Sequence, residues 1–225
     1  MNTKRIALGI AAAGAIGIGA LAVPAVAGAG PFGPGSPGSP GAGTGMGPGM
    51  GMGSGYGGRM GLGATDATGE CPMVADADQG TLTAAQQSTL KSMAEEEKLA
   101  GDLYQAFADK YPAVVFDRIG AAEDQHLAAV RALLDRYGLS DPTAGRPAGQ
   151  FATASVQATY DRLLAQGLTD QTAALAVGRQ VEQADITSLQ QAAAGLDAPD
   201  VAQVYWHLLA ASQQHLAAFT AYPAR

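Results

Sequence analysis

The sequence predicts an all-α fold: a bundle of four long helices, in which a long connection carrying a short helix joins the second long helix to the third. From residue 81 onward, apolar residues recur at helical spacing in four long segments, and capping or breaking residues bound each of them. The same part of the sequence has no alternating runs rich in β-branched residues, so we expect no sheet. This length of chain is sufficient for one domain with its own core.

The N-terminal region has the layout of a secretory signal peptide. The chain is basic up to Arg5 and apolar without charge over residues 6–23, and Ala25-Val26-Ala27 offers a small-residue cleavage site. We expect export and cleavage after Ala27. Retention of this segment as a membrane anchor is the alternative, but its many glycines and alanines make it a weak span.

Residues 28–80 are predicted to form a linker rich in glycine, proline and methionine, because such a composition cannot bury a core. The predicted organisation is therefore a signal peptide over residues 1–27, this linker, and a helical domain over residues 81–225. Cys71, in the linker, is the only cysteine, so no intramolecular disulfide can form, and we assign it no role.

Four of the seven methionines lie within residues 28–63 of the linker, and two interpretations of these four stay open. They can reflect compositional drift in a tail where methionine costs nothing. Their thioethers can also bind soft Cu(I) outside the cell. The residues concerned are Met46, Met50, Met52 and Met60.

The charge of the chain argues against nucleic-acid binding. The formal net charge is −7, and removal of the predicted signal peptide takes away Lys4 and Arg5, leaving 11 basic against 20 acidic residues, or −9. No basic patch is left that could neutralise a phosphate backbone.

The bounds of the helices follow from capping signals. Thr83 is a suitable N-cap with Gln86 completing a capping box, Asp170 is a second N-cap, and Pro199 suits the first turn of a helix. Pro112 and Gly138 are stop signals for the first two long helices. The predicted long helices span residues 83–111, 113–137, 170–194 and 197–222, and the short helix spans residues 154–166.

Several polar residues fall on the apolar stripes of these helices. Among three consecutive acids of the first helix, Glu97 lies on the stripe, Glu95 points away from it and Glu96 lies at its flank, so we expect one buried acid there. On the second helix, Glu123 and His126 are three residues apart and therefore share the apolar face.

The third and fourth long helices continue the pattern. Glu182 and Asp185 lie on the stripe of the third helix, and His215 lies on that of the fourth. His207 projects between two glutamines, so we expect a solvated surface histidine there. Buried charges require partners, because an isolated charge in the interior costs several kcal/mol or more.

Together the stripes predict four carboxylates and two imidazoles inside the bundle: Glu97, Glu123, His126, Glu182, Asp185 and His215. The helical basic residues fall off the stripes and are not placed to neutralise these acids: Lys98, Arg131, Arg136 and Arg179. Four carboxylates balance two divalent cations in charge, and mixed carboxylate and imidazole ligands suit iron or manganese. A lone Glu-x-x-His is a weak signal, so the prediction depends on the coincidence across four helices.

Two stretches carry a resemblance to a known group of proteins. The segments Glu95-Glu96-Glu97-Lys98-Leu99-Ala100 and Leu133-Leu134-Asp135-Arg136-Tyr137-Gly138, with the Glu-x-x-His on the second helix, resemble an uncharacterised bacterial family within the ferritin-like superfamily of di-iron carboxylate bundles. In that superfamily two helices supply one glutamate each and two supply Glu-x-x-His. The resemblance gives ligand positions to Glu97, Glu123, His126, Glu182 and His215.

One position departs from the pattern of that superfamily. Ser212 stands where the fourth helix would supply a glutamate, and Asp185 on the third helix is an additional acid one turn beyond Glu182. We expect Asp185 to take over the missing ligand role, with Ser212 and Tyr104 lying beside the ligands. Tyr104 would hydrogen-bond a ligand carboxylate or supply an electron, or it is an ordinary core residue.

The resemblance implies a secreted ferritin-like protein that binds two divalent metal ions, iron or else manganese, and that oxidises Fe(II) or reduces peroxide. Its small-molecule partner would then be dioxygen or peroxide. Two other hypotheses stay open: a non-catalytic envelope protein that holds or buffers iron or copper, and a metal-free helical interaction module. The sequence lacks the Cys-x-x-Cys of a rubredoxin-like electron donor. It is compatible with a homodimer, and we expect no membrane span after signal cleavage.

Overall fold

The computed structural model describes residues 77–223, which form five α-helices and contain no strand. The helices are α1 (Ala84–Lys110), α2 (Val114–Arg136), α3 (Ala154–Gly167), α4 (Gln171–Ala193) and α5 (Pro199–Ala221). The all-α prediction is therefore confirmed for this part of the chain. The predicted signal peptide, the four linker methionines and Cys71 lie outside the described residues.

The local signals in the sequence locate the helix ends well. Thr83 and Gln86 form the predicted capping box, and the Asp170 side chain accepts a hydrogen bond from the Ala173 amide at the start of α4. Pro199 occupies the first turn of α5. Gly138 follows α2 with φ at +63°, a left-handed conformation that side chains with a Cβ rarely adopt.

The helices pack mainly as two pairs, α1 with α2 and α4 with α5. α1 also contacts α4, α2 also contacts α5, and α3 lies against α1 and α4. The long connection between α2 and α4 therefore runs over the outside of α1, with α3 as its helical part.

The core consists of two apolar clusters at different heights along the long helices. One cluster contains Leu90, Leu133 and Leu189, and the other contains Phe107 and Phe116. Each long helix contributes residues to both clusters. Along α1 and α5 the first cluster precedes the second, whereas along α2 and α4 the order is reversed. Helices α2 and α4 thus run in the same direction, which is why their connection must be long.

The connection is fastened to the outward face of α1 by buried charged residues. Glu95 accepts hydrogen bonds from the Ala152 and Thr153 amides at 2.8 and 3.0 Å and from the Thr153 hydroxyl at 2.5 Å. Lys98 pairs with Asp102 and donates to the Pro147 carbonyl at 3.0 Å. The expectation of one buried acid among residues 95–97 is therefore wrong, because Glu95 is only 3% exposed. Periodicity could not indicate that a connection distant in sequence would cover this face.

Residues 77–80 are also held against the helices. The Arg136 guanidinium donates to the Ala77 carbonyl at 2.9 Å, and the Gly80 amide donates to the Tyr137 hydroxyl at 3.1 Å. Gly80 passes so close to α5 that an added Cβ would lie 2.3 Å from the Cα of Ala198. Within residues 77–223, no helix is long and apolar enough to cross a membrane.

Candidate metal centre

The polar residues predicted on the apolar stripes lie between the two core clusters. Along each long helix, the residues of one cluster stand on one side of these positions and the residues of the other cluster stand beyond them. Five side chains from four helices converge in this layer: Glu97, Glu123, His126, Glu182 and His215. A polar layer in this position is enclosed by apolar side chains above and below, so it is shielded from bulk water.

Three of these residues form what we call the inner group: Glu97, Glu123 and His126. The Nδ1 atom of His126 lies 2.6 Å from Oε2 of Glu123 and 3.4 Å from Oε2 of Glu97. All three side chains are 3% exposed or less. One ligand atom from each lies within 4.8 Å of the others, a spacing that a single metal ion can span.

The outer group consists of Glu123, Glu182 and His215, and it meets the same distance condition. The Nδ1 atom of His215 lies 2.9 Å from Oε1 of Glu123 and 3.6 Å from Oε2 of Glu182. The His215 side chain is 13% exposed, whereas Glu182 is buried. Glu123 therefore belongs to both groups and faces each of them with a different carboxylate oxygen.

Several buried polar atoms of these residues have no hydrogen-bond partner among the described residues. They are Oε1 of Glu97, Oε1 of Glu123, Nε2 of His126 and Nδ1 of His215. One pair of these atoms is informative: Nδ1 of His215 and Oε1 of Glu123 lie 2.9 Å apart but are not aligned for a hydrogen bond. Buried polar atoms are nearly always paired, so these suggest a missing common partner such as a metal ion.

Tyr104 contacts the outer group. Its hydroxyl donates a hydrogen bond of 2.6 Å to Oε1 of Glu182, and its ring packs against Phe219 with centroids 5.0 Å apart. Burial, and the negative charge of Glu182 next to it, raise the pKa of Tyr104 well above its usual value. The tyrosine is thus a neutral hydrogen-bond donor that holds one oxygen of Glu182.

Asp185 and Ser212 lie beside the two groups rather than within them. The Ser212 hydroxyl is 2.6 Å from Oδ2 of Asp185, and Oδ1 of Asp185 is buried with no hydrogen-bond partner among residues 77–223. Burial raises the pKa of Asp185, and the charges of Glu97, Glu123 and Glu182 raise it further. Asp185 therefore occupies the vicinity of the site, but it belongs to neither three-residue group.

The electrostatics of the metal-free site follow from burial opposed by ion pairing. Burial raises the pKa of Glu97 to about 8, because its contact with His126 offsets the desolvation only in part. Glu123 behaves differently: burial alone would raise its pKa, but its contacts with His126 and His215 lower it to about 2. Glu123 is thus the carboxylate that stays ionised between the two imidazoles.

The two imidazoles are correspondingly basic. Burial alone would lower the pKa of His126, but its contacts with Glu123 and Glu97 raise it to about 11. Burial likewise opposes ionisation of His215, yet Glu123 and Glu182 raise its pKa to about 9. In the metal-free protein, protons on the two imidazoles and on Glu97 therefore compensate the negative charge that cations would otherwise balance.

Sequence reasoning did not predict the altered pKa of Glu96 beside the site. Burial and the charge of Asp185 raise the pKa of Glu96 to about 8, and a hydrogen bond with Ser188 opposes the shift. Its position at the flank of the stripe, next to Glu97, was the available signal. His207, predicted to be solvated, is half-buried, and burial lowers its pKa.

Comparisons with known proteins assign the chain to a family. The chain belongs to the family described as Uncharacterized protein domain (DUF2202), whose model matches residues 86–222. It is 34% identical over 130 residues to the uncharacterised protein MJ0754 of Methanocaldococcus jannaschii, a match that covers 58% of this chain and 70% of that protein. The matched family region contains every residue of the inner and outer groups.

A solved structure supports the helical fold. The chain is similar to the crystal structure of hypothetical protein MJ0754 from Methanococcus jannaschii DSM 2661, with a TM-score of 0.62 and 31% sequence identity. The similarity covers 63% of this chain and 81% of that chain.

Proposed function

We propose that this member of the DUF2202 family is a ferritin-like four-helix bundle that binds two divalent metal ions, iron or else manganese. The inner group would hold one ion and the outer group the other, and Glu123 would supply a carboxylate oxygen to each. One observation carries the proposal: the two oxygens of Glu123 face different imidazoles, His126 at 2.6 Å and His215 at 2.9 Å. A contact with a single imidazole would engage only one of the two oxygens of Glu123.

The donor set fits two such ions. Three carboxylates and two imidazoles supply the mixed oxygen and nitrogen ligands that iron and manganese accept. With Asp185 the layer contains four carboxylates, whose charge two divalent cations balance. Five of the seven buried side-chain atoms that have no hydrogen-bond partner among residues 77–223 belong to these residues, and the other two are in Gln180 and Asp200. A metal ion would give the five atoms a partner, whereas no protein group in that range forms a hydrogen bond with them.

The arrangement of the helices supports the ferritin-like assignment. Two antiparallel helix pairs joined by a long connection, with ligands at mid-height on all four long helices, match that architecture. The departure lies on α5, where Ser212 precedes His215 by three residues. Because Asp185 on α4 contacts Ser212, we propose that Asp185 supplies the negative charge that a glutamate at position 212 would bring.

The residues of this chain would hold and orient the ligands of a site that is suited to redox chemistry. Bound iron would supply one-electron chemistry suited to oxidation of Fe(II) or reduction of peroxide. The chain itself holds the ligands between two apolar clusters, which exclude bulk water, and Tyr104 fixes the orientation of Glu182 through its hydrogen bond. We further propose that the protein works outside the cytoplasm, since its N-terminal sequence has the layout of a signal peptide.

Metal analysis of the purified full chain tests the proposal. We expect two iron or manganese ions per chain, and we expect Glu123→Gln to lower the content below one, because both groups lose their shared charge. Asp124→Asn is the matched control, since Asp124 is the adjacent, exposed residue of the same helix. A Glu123→Gln protein that keeps two ions would refute the bridging role.

Oxygen consumption on addition of Fe(II) then separates the functional hypotheses. Turnover that Glu123→Gln abolishes and Asp124→Asn preserves would support an oxidase. Two tightly bound ions without turnover on Fe(II) or peroxide would instead support a protein that holds or buffers metal.

A further inference from the structure

The two metal groups differ in their access to solvent. Every side chain of the inner group is buried, including His126 at 1% exposed. In the outer group the His215 side chain is 13% exposed. The outer group therefore contains a partly exposed residue, although its Nδ1 atom is itself buried, while the inner group contains only buried residues.

The groups also differ in how their carboxylates are engaged by other protein groups. Oε1 of Glu97 is buried without a hydrogen-bond partner, so both oxygens of Glu97 can serve the inner group. In the outer group Oε1 of Glu182 already accepts a hydrogen bond from Tyr104, which reduces the negative charge that this oxygen presents to a cation, and Oε2 faces His215. Among the described residues, the inner group therefore contains a carboxylate that accepts no hydrogen bond from a neighbour outside its group, and the outer group does not.

We propose that the two metal positions are functionally unequal: the inner group holds a resident ion, and the outer group holds an exchangeable ion that enters and leaves past His215. The inference rests on the proposed metal function and adds to it which position turns over. A less negative carboxylate and a partly exposed ligand residue both favour exchange, since reactive metal sites keep an open coordination position while structural sites are closed.

Tyr104 is the positioning residue that creates much of this inequality. Its hydroxyl donates a hydrogen bond to Oε1 of Glu182, which reduces the negative charge that this carboxylate presents to the outer ion. Removal of that hydroxyl alone, by Tyr104→Phe, would restore that charge. We therefore expect the variant to hold the outer ion more tightly, although the loss of a buried hydrogen bond lowers its thermal stability.

Metal release measures the inequality directly. The full chain is loaded with Fe(II) under anaerobic conditions to two ions per chain, and the ions are then released to an excess of a chromogenic chelator. We expect two phases of equal amplitude whose rates differ about tenfold or more, the ratio that a difference of about 1.4 kcal/mol in barrier produces. Release in a single phase that accounts for both ions would overturn the proposal.

Isosteric variants assign the phases. Glu182→Gln should remove the fast phase and keep the slow one, whereas Glu97→Gln should remove the slow phase, with Asp124→Asn as the unchanged control. Circular dichroism checks that each variant keeps its helices. If Glu182→Gln removes the slow phase instead, the assignment of resident and exchangeable positions is reversed and the proposal fails.

Tyr104→Phe separates a positioning role from a merely structural one. We expect its fast phase to slow severalfold, while a purely structural role would leave the rate unchanged or increase it. Tyr160→Phe is the matched control, because Tyr160 is a buried tyrosine that packs against Phe151 on the connection.

The experiment distinguishes this inference from the proposed function. A wild-type chain that binds no Fe(II), or a Glu123→Gln chain that binds two ions, contradicts the metal site itself. Two ions that leave at one common rate contradict only the inequality of the two positions.

Discussion

The outward and inward faces of α1 bury carboxylates in two different ways. Glu95, on the outward face, accepts three hydrogen bonds from Ala152 and Thr153 of the connection. Glu97, on the inward face, has one oxygen 3.4 Å from His126 and the other without a hydrogen-bond partner among the described residues. The two residues stand two positions apart, and both are 3% exposed or less.

The difference teaches that burial alone does not identify a metal ligand. Asp200 is fully buried and differs from the inward kind in its partners: its Oδ1 accepts hydrogen bonds from the Tyr137 hydroxyl and the Val201 amide, and its Oδ2, which has no hydrogen-bond partner among the described residues, lies 3.6 Å from Nε of Arg136. Protein donors or a guanidinium balance the charge of Glu95 and Asp200, and both residues hold segments together. Carboxylates of the inward kind are grouped with imidazoles and have oxygen atoms without a hydrogen-bond partner. Such oxygens are available to bind a cation.

The largest effect on folding is expected at Glu95. Glu95→Ala should lower the free energy of unfolding by about 3 kcal/mol, because two backbone amides and a hydroxyl lose their shared buried acceptor. Its metal content should stay that of wild type. Urea denaturation in the presence of a chelator gives the first value and metal analysis gives the second. A Glu95→Ala protein that loses its metal would remove the distinction between the two faces of α1.

Thr153→Ala removes only part of the hydrogen bonding to Glu95 and is therefore a milder variant to compare with Glu95→Ala. It removes one of the three donors and should cost about 1 kcal/mol, again without loss of metal. An effect of Thr153→Ala as large as that of Glu95→Ala would mean that the backbone amides contribute little.

The next largest effect concerns residues 77–80, where the Gly80 amide donates a hydrogen bond of 3.3 Å to Oδ1 of Asp200. Gly80→Ala should lower the free energy of unfolding by about 2 kcal/mol, because its Cβ would meet the backbone of Ala198 and force residues 77–80 away from Asp200. Gly120→Ala is the control: an added Cβ there meets its nearest neighbour at 3.5 Å, an ordinary contact. Equal stability of the two variants would show that the attachment of residues 77–80 is not stabilising.

An effect of intermediate size is expected on metal affinity when Asp185, next to the two metal groups, is changed. If it substitutes for the glutamate missing at position 212, Asp185→Asn should weaken metal binding about tenfold, the equivalent of about 1.4 kcal/mol. Ser212→Ala keeps the charge of Asp185 and should have a smaller effect. Equilibrium titration with Fe(II) measures both, and unchanged affinity in Asp185→Asn would make the compensation hypothesis wrong.

The smallest effect is a pH dependence at Glu97 in the metal-free protein. Because its pKa is raised from 4.5 to about 8, the folded state favours the protonated acid, and the stability that this contributes is present below pH 4.5 and is lost as the pH rises towards 8. Glu97→Gln cannot ionise, so its stability advantage over wild type, measured in the presence of a chelator, should grow as the pH rises across this range. A difference in stability between the two proteins that stays constant from pH 5 to pH 8 would contradict the raised pKa of Glu97.

The sequence by itself determined the helices and the residue types of the candidate site. Helix ends such as Thr83 with Gln86, or Asp170, depend on hydrogen bonds within one turn, so neighbouring residues suffice to predict them. The polar residues on apolar stripes could be found in the same way, because helical spacing decides which side chains share a face. The sequence thus identified Glu97, Glu123, His126, Glu182 and His215 as a set.

Only the tertiary structure decided how that set is divided and what else is buried. The assignment of the two oxygens of Glu123 to different imidazoles depends on the distance between α2 and α5, which no local pattern contains. The burial of Glu95 depends on a connection more than fifty residues away in the sequence lying across α1. The position of Asp185 beside the groups depends on its contact with Ser212. Each of these features arises from packing between segments distant in sequence, and such packing leaves no periodic signal in the chain.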